Sequence, residues 1–240
     1  MTTVNTSRFL VLAMLLTVAA PGCVSAPHVP GTPFENAALA QELRRSLDAM
    51  YPPGFRAVHR ALLSVRGREF TMMGYVLVRR PGDVRLLATG DMAVTMFEVV
   101  RRSDGSRSIL RAAPGFRASW IRDGAARDAA AIYCVRPSPA ASLAQFGPDV
   151  VGFTERLRGG TYREFHFDAT TRRLTRYLEA RCGHRRYEIA FSDEAPFPRW
   201  PRPVPRKIEV IDRVRDYRLN IRVVELRPVS PTDASFATEP

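Results

Sequence analysis

Between positions 34 and 50, Leu39, Leu43, Leu47 and Met50 recur at i, i+4, i+8 and i+11, with Glu42, Arg44, Arg45 and Asp48 on the other positions. That spacing predicts one amphipathic helix. Pro52-Pro53-Gly54 ends it. From Phe55 the period shortens to two. The runs 55–65, 69–79, 84–88, 93–102 and 107–112 read as strands, separated by Arg66-Gly67-Arg68, Pro81-Gly82-Asp83, Gly90-Asp91 and Ser103-Asp104-Gly105-Ser106. In the second run Phe70, Met72, Val76 and Val78 alternate with Thr71, Met73, Tyr75 and Leu77, so both faces are largely apolar. A one-sided antiparallel sheet would carry polar residues on its outer face.

The middle of the chain breaks this rhythm. Positions 123–133 (DGAARDAAAIY) are Ala-rich behind an Asp suited to cap a helix, and 138–146 reads as a second short helix after Pro137. Strands resume at 161–167, 172–180 and 187–192. The stretch 195–205 holds five prolines and is excluded as a central strand. A last hairpin, 206–214 and 217–226, turns near Arg215-Asp216. The expected fold is mainly β with helices (α+β). It has ten or eleven antiparallel strands in a single curved sheet, covered by the N-terminal helix and a short helical insertion.

Ahead of this body, positions 9–20 (FLVLAMLLTVAA) form a twelve-residue apolar run behind a lone Arg8. A bilayer span needs about 20 such residues, so this is a signal-peptide core. Ala20-Pro21-Gly22-Cys23 follows and is similar to a bacterial lipobox, in which the cysteine is diacylated, with chains such as palmitate, and becomes the mature N-terminus. The expected division is 1–22 leader, 23–33 anchor and Pro-rich tether, and 34–240 folded body. Several acyl chains hold a protein firmly on a membrane where one does not. Val24, rather than Asp, after the cysteine points to the periplasmic face of the outer membrane.

The 240 residues carry 36 Lys plus Arg against 24 Asp plus Glu, a net charge of +12, and Lys207 is the single lysine. So uniform an arginine excess reads as compositional, and with the export signal it argues against a nucleic-acid partner and suits a neighbourhood of anionic lipid. In an oxidising compartment Cys134 and Cys182 are available for a disulfide; a metal site with His184 and a reactive thiol are the other readings. No Gly-x-Ser-x-Gly, His-Glu-x-x-His, P-loop or dinucleotide fingerprint is present, and the four histidines are isolated in sequence. A non-enzymatic protein without cofactor or metal is expected.

Three segments together resemble the LolA/LolB superfamily of periplasmic lipoprotein carriers and acceptors. They are Gly74 to Pro81 (GYVLVRRP), a glycine-initiated strand ending in Arg-Pro; the insertion ARDAAAIY at 126–133; and the C-terminal hairpin from Lys207 to the final Asp-x-x-Phe at 233–236. The resemblance implies an unclosed half-barrel with a helical lid. It also implies a water-free interior for the acyl chains of a lipoprotein or other envelope lipid, where each buried CH₂ contributes about 0.8 kcal/mol. The inward set of the early strands, Met72, Val76, Val78, Leu86, Met96 and Phe97, is the expected lining. Arg80 is expected to hold the lid through backbone carbonyls, and Met92 to contact the membrane. A filled barrel serving as an interaction lipoprotein, or an accessory subunit of an envelope lipid-modifying system, are the alternatives. Ligand sites generally enclose about 300–1,000 Å³, whereas a filled barrel has no such space.

Overall fold

The computed structural model describes residues 30–200 and 202–237. The expected leader, the lipidation site Cys23 and most of the tether lie outside the described residues.

The first helix, α1 (Ala37–Met50), starts where Asn36 Oδ1 accepts the Leu39 amide at 2.9 Å, and buries Leu43 and Leu47. Strands β2 (Gly54–Val65) and β3 (Arg68–Arg79) are twelve residues each. They are joined by Arg66-Gly67, both at positive φ, the backbone that a two-residue hairpin requires. β4 (Asp83–Thr89), β5 (Thr95–Arg101) and β6 (Arg107–Ala112) follow as a meander. The chain then crosses the concave side as a helical segment, α2 (Ala118–Trp120), a π turn (Ile121–Ala125) and α3 (Ala126–Tyr133). The second half runs through β7 (Ser142–Gly147), β8 (Val150–Arg156), β9 (Thr161–Asp168), β10 (Leu174–Arg181), β11 (His184–Ala195), β12 (Val204–Asp212) and β13 (Tyr217–Pro228). A two-residue β1 (Thr32–Pro33) pairs with β7.

All pairings are antiparallel, and the thirteen strands form one sheet in the order β1-β7-β8-β9-β10-β11-β12-β13-β2-β3-β4-β5-β6. β13 pairs with β2 along nearly its whole length, which joins the last strand to the first long one at the centre of the sheet. β1 and β6 are unpaired outer edges, so the sheet curves without closing, as an unclosed half-barrel. The core lies inside the curve, where Phe55, Val76, Phe97, Phe153, Phe165 and Tyr177 meet α1 and α3.

Two expectations are corrected. Positions 138–146 are not a helix: Leu143 and Ala144 are buried and paired across from Phe153 and Gly152 in the sheet. Nine residues hemmed by prolines cannot sustain a helix against that pairing. The insertion begins at Ala118, so Asp123 lies inside the π turn and caps nothing. The tight fit at β8 has a single-residue cause: a Cβ on Gly152 would stand 1.7 Å from the Phe165 carbonyl oxygen.

Candidate functional site

Inward-facing side chains of β2, β3, β4 and β13 alternate with outward ones, and the inward set encloses an apolar cavity of about 50 Å³ beneath the helical segment. Its walls come from Ala61 and Leu63, Met72 and Val76, Leu86 and Ala88, Phe97, and Leu219 and Ile221. Gly74 contributes by what it lacks, since a Cβ there would fill space between His59 and Leu86. The roof is Trp120, Ala125, Asp128, Ala129, Ile132 and Tyr133. Trp120 meets Phe97 edge-on at 5.7 Å. The volume is far below the several hundred cubic ångströms of a typical small-molecule site, because the helical segment lies over the strands that line it.

Of the six expected lining residues, Met72, Val76, Leu86 and Phe97 line this cavity. Val78 is buried further along β3, in the core rather than at the cavity. Met96 belongs to neither wall. It precedes Phe97 on one strand, is half-buried against the core away from the cavity, and its sulfur packs beside Gly90.

The roof is fastened to the sheet by polar contacts set in apolar surroundings. Asp128 is buried and accepts hydrogen bonds from the Tyr187 hydroxyl (2.8 Å) and the Tyr217 hydroxyl (2.6 Å). Burial raises its carboxyl to about 6, against the opposing pull of the two hydroxyls and Arg127. Next to it, Arg127 donates to Glu179 (2.7 Å) and Asp212 (3.2 Å) and lies 3.8 Å over the Tyr187 ring. At the far end of α3 the Tyr133 hydroxyl hydrogen-bonds His59 Nε2. Burial lowers the His59 ring to about 4, so the imidazole is neutral near pH 7. Arg107 clips the π turn through Asp123 at 2.9 Å.

Arg80 ends β3 just before Pro81 and donates to the carbonyls of Asp48 (3.0 Å) and Tyr51 at the C-terminal end of α1. Those are the orphan acceptors of a helix end, which a guanidinium is well shaped to satisfy. Arg80 thus holds α1 directly. It reaches the lid only through Asp48, which also ion-pairs with Arg136 after α3 at 3.2 Å. Met92 is 94% exposed, at positive φ in the short turn Asp91–Ala93. Trp200 is buried and donates to the Met50 carbonyl at 3.1 Å.

Of the readings open for the cysteines, the structure has Cys134 and Cys182 unpaired with each other. Cys134 ends α3 beside Arg80 and Arg136, where burial raises its thiol to about 11. Cys182 is exposed in the two-residue turn Cys182-Gly183 between β10 and β11. Among the described residues no group of three or more His, Cys, Asp or Glu is placed to hold a metal ion.

His59, Asp128, Tyr133, Tyr187 and Tyr217 were not singled out by the sequence. Asp128 left one trace: it shares a helix face with Ala125, Ala129 and Ile132, an acid on an apolar stripe.

No family model matches the chain, and no curated protein matches its sequence. Solved structures do match in fold. A DUF1329 family protein from Desulfovibrio piger superposes with a TM-score of 0.58 at 12% identity, covering 85% of this chain and 98% of that one. A LolA superfamily protein from Nitrosomonas europaea gives 0.56 at 10% identity, over 82% of this chain and 97% of that one. A putative outer membrane lipoprotein-sorting protein domain from Vibrio parahaemolyticus gives 0.51 at 11% identity, over 84% and 97%.

Proposed function

With the LolA/LolB-like fold as premise, we propose that this protein is lipid-anchored at Cys23, faces the periplasm from the outer membrane, and binds acyl chains of lipoproteins or other envelope lipids in its half-barrel for transfer to or from that membrane. The described state is then the closed, empty one, and the segment from α2 to α3 is a lid that a chain displaces. The observation that carries this reading is the way the lid is fastened. A permanent plug would be held best by apolar packing, because buried charges are costly to desolvate and apolar replacements are often as stable. Here the apolar packing of Ile121, Ala129 and Ile132 is joined by buried polar attachments from Asp128, Arg127 and Tyr133, over walls that are otherwise apolar. Withdrawing the lid returns Asp128 and Arg127 to water and leaves a trough for hydrocarbon that is apolar except at His59 and Tyr217. Met72 suits such a wall because an unbranched thioether adapts to variable chains. No catalytic step is assigned; Met92 is the proposed membrane contact and the bound lipid the proposed partner.

The cavity of about 50 Å³ favours a second reading, an interaction lipoprotein whose barrel is filled by its own side chains. Uptake of a fluorescent fatty acid by the full chain separates the two. The carrier reading expects saturable binding, weakened about tenfold or more by Leu86→Trp, which fills the trough from a half-buried wall position with a side chain larger than the present space. No uptake by the folded wild-type protein would leave the filled barrel as the function-bearing form.

A further inference from the structure

The outer face of the sheet, which the lid and cavity do not use, carries a row of cations in direct register. Lys207 on β12 stands opposite Arg222 on β13, and Arg222 stands opposite Arg60 on β2. Like charges directly opposite one another on neighbouring strands are destabilising. Three other arginines on this face are matched: Arg56 with Glu225, Arg218 with Glu209, Arg176 with Glu188. Arg60 and Arg222, among the described residues, have neither a carboxylate within 4.0 Å nor a hydrogen-bond partner, and both are exposed. Lys207 has only Asp193, at 3.7 Å. The three line a shallow groove of about 550 Å³ together with Asn220, Ser192 and Glu209, whose charge is matched by Arg218 at 3.3 Å.

The same row continues into apolar surface. Arg60 is opposite Met73 on β3, and Met73 is opposite Thr89 at the end of β4, which leads into the turn bearing Met92. With neighbouring strands about 4.8 Å apart, β4 lies roughly 10 Å from β2 and 19 Å from β12. On the outer face beside this row, Tyr75 is 41% exposed and Val224, at the bulge between Val223 and Glu225, is 51% exposed. Unmatched cations beside exposed aliphatic and tyrosine side chains fit a surface whose phosphates lie next to hydrocarbon. They fit a free anion or an acidic protein less well, since neither would cover Met92, Tyr75 and Val224.

We propose that the outer face of β12, β13, β2 and β3 docks on an anionic phospholipid bilayer, with Lys207, Arg222 and Arg60 on headgroup phosphates and Met92, Tyr75 and Val224 at the hydrocarbon boundary. The concave face is left free by this docking, so a lid could open while the protein sits on the membrane.

The test is hydroxyl-radical footprinting of the full chain with vesicles of phosphatidylcholine alone or mixed with phosphatidylglycerol. Oxidation of Met92 and Tyr75 is read by mass spectrometry, with His184, exposed in the β10–β11 hairpin, as internal reference. Each cation near an anionic surface strengthens association about fivefold. Phosphatidylglycerol should therefore slow oxidation of Met92 and Tyr75 several-fold relative to His184. Salt at about 1 M, where charges are screened within about 3 Å, should abolish the protection. The double variant Arg60→Ser/Arg222→Ser, which removes only exposed side chains, should fold and lose it. Equal oxidation in the two kinds of vesicle, or protection that survives in the folded double variant, would overturn the proposal. Glycerol phosphate without vesicles giving the same protection would also overturn it, in favour of a soluble anion. Acyl-chain uptake on the concave face is not read by this assay, so either inference can fail alone.

Discussion

Single side chains at this molecule's seams do work that their positions in the sequence only partly disclose. Arg80 is marked by its place before Pro81, but its acceptors, the Asp48 and Tyr51 carbonyls, lie about thirty residues upstream and are brought to it by the sheet and α1 together. Hydrogen bonds from a charged donor each contribute about 1.5–3 kcal/mol, and Leu cannot replace them. Arg80→Leu should therefore lower the free energy of unfolding by about 1.5–3 kcal/mol, read as a fall in the urea midpoint at unchanged slope, and increase exchange of the last-turn amides of α1. An unchanged midpoint would mean that water serves those carbonyls equally well. Met96 teaches the opposite lesson. Its chemistry suited the cavity, yet it packs against the core elsewhere, and Phe97 beside it lines the cavity.

At the scale of elements, the informative unit is α3 with the strands it touches. Its two buried titratable contacts respond to acid in opposite senses. Asp128 has a folded-state value near 6 against an ordinary 3.8, so it favours the folded structure fully below 3.8 and that contribution is lost as pH rises through 6. His59 has a folded-state value near 4 against 6.5, so its contribution is present above 6.5 and is lost as pH falls through 4. In the wild type the two oppose each other across nearly the same window. Asp128→Asn keeps a hydrogen-bonding side chain between the two tyrosines and removes the compensation. Its urea midpoint should fall steadily from pH 6.5 to 4 while that of the wild type changes little. Parallel profiles for the two proteins would show that Asp128 titrates as an ordinary exposed carboxylate. None of these groups was legible as a site beforehand. His59, Tyr187 and Tyr217 lie on separate strands with no spacing that links them, and only the curvature of the sheet aims them at one helix.

Considered whole, the molecule is one sheet with one interior. The β13–β2 pairing fastens the C-terminal half of the chain to the N-terminal half, and the buried core runs from α1 through Phe153 and Phe165 to Val76 and Phe97. Unfolding should accordingly be a single transition, with the far-ultraviolet circular dichroism and the fluorescence of Trp120 and Trp200 sharing one midpoint in urea. Separate midpoints would divide the sheet into independently stable halves.

The periodicity of side chains was enough to determine the long strands, the N-terminal helix, the hairpin turns and the curved antiparallel class, because each rests on period and turn chemistry within a few residues. β7 and β8 escaped that reading. Their short, glycine-interrupted segments have little pattern of their own, and they are strands because β9 and β1 offer them partners. The state of the cysteines, the near-filling of the cavity and the polar fastening of the lid were likewise decided by tertiary structure. Each depends on how far the sheet curves, and curvature is summed over thirteen strands, whereas sequence patterns report only on neighbours along the chain.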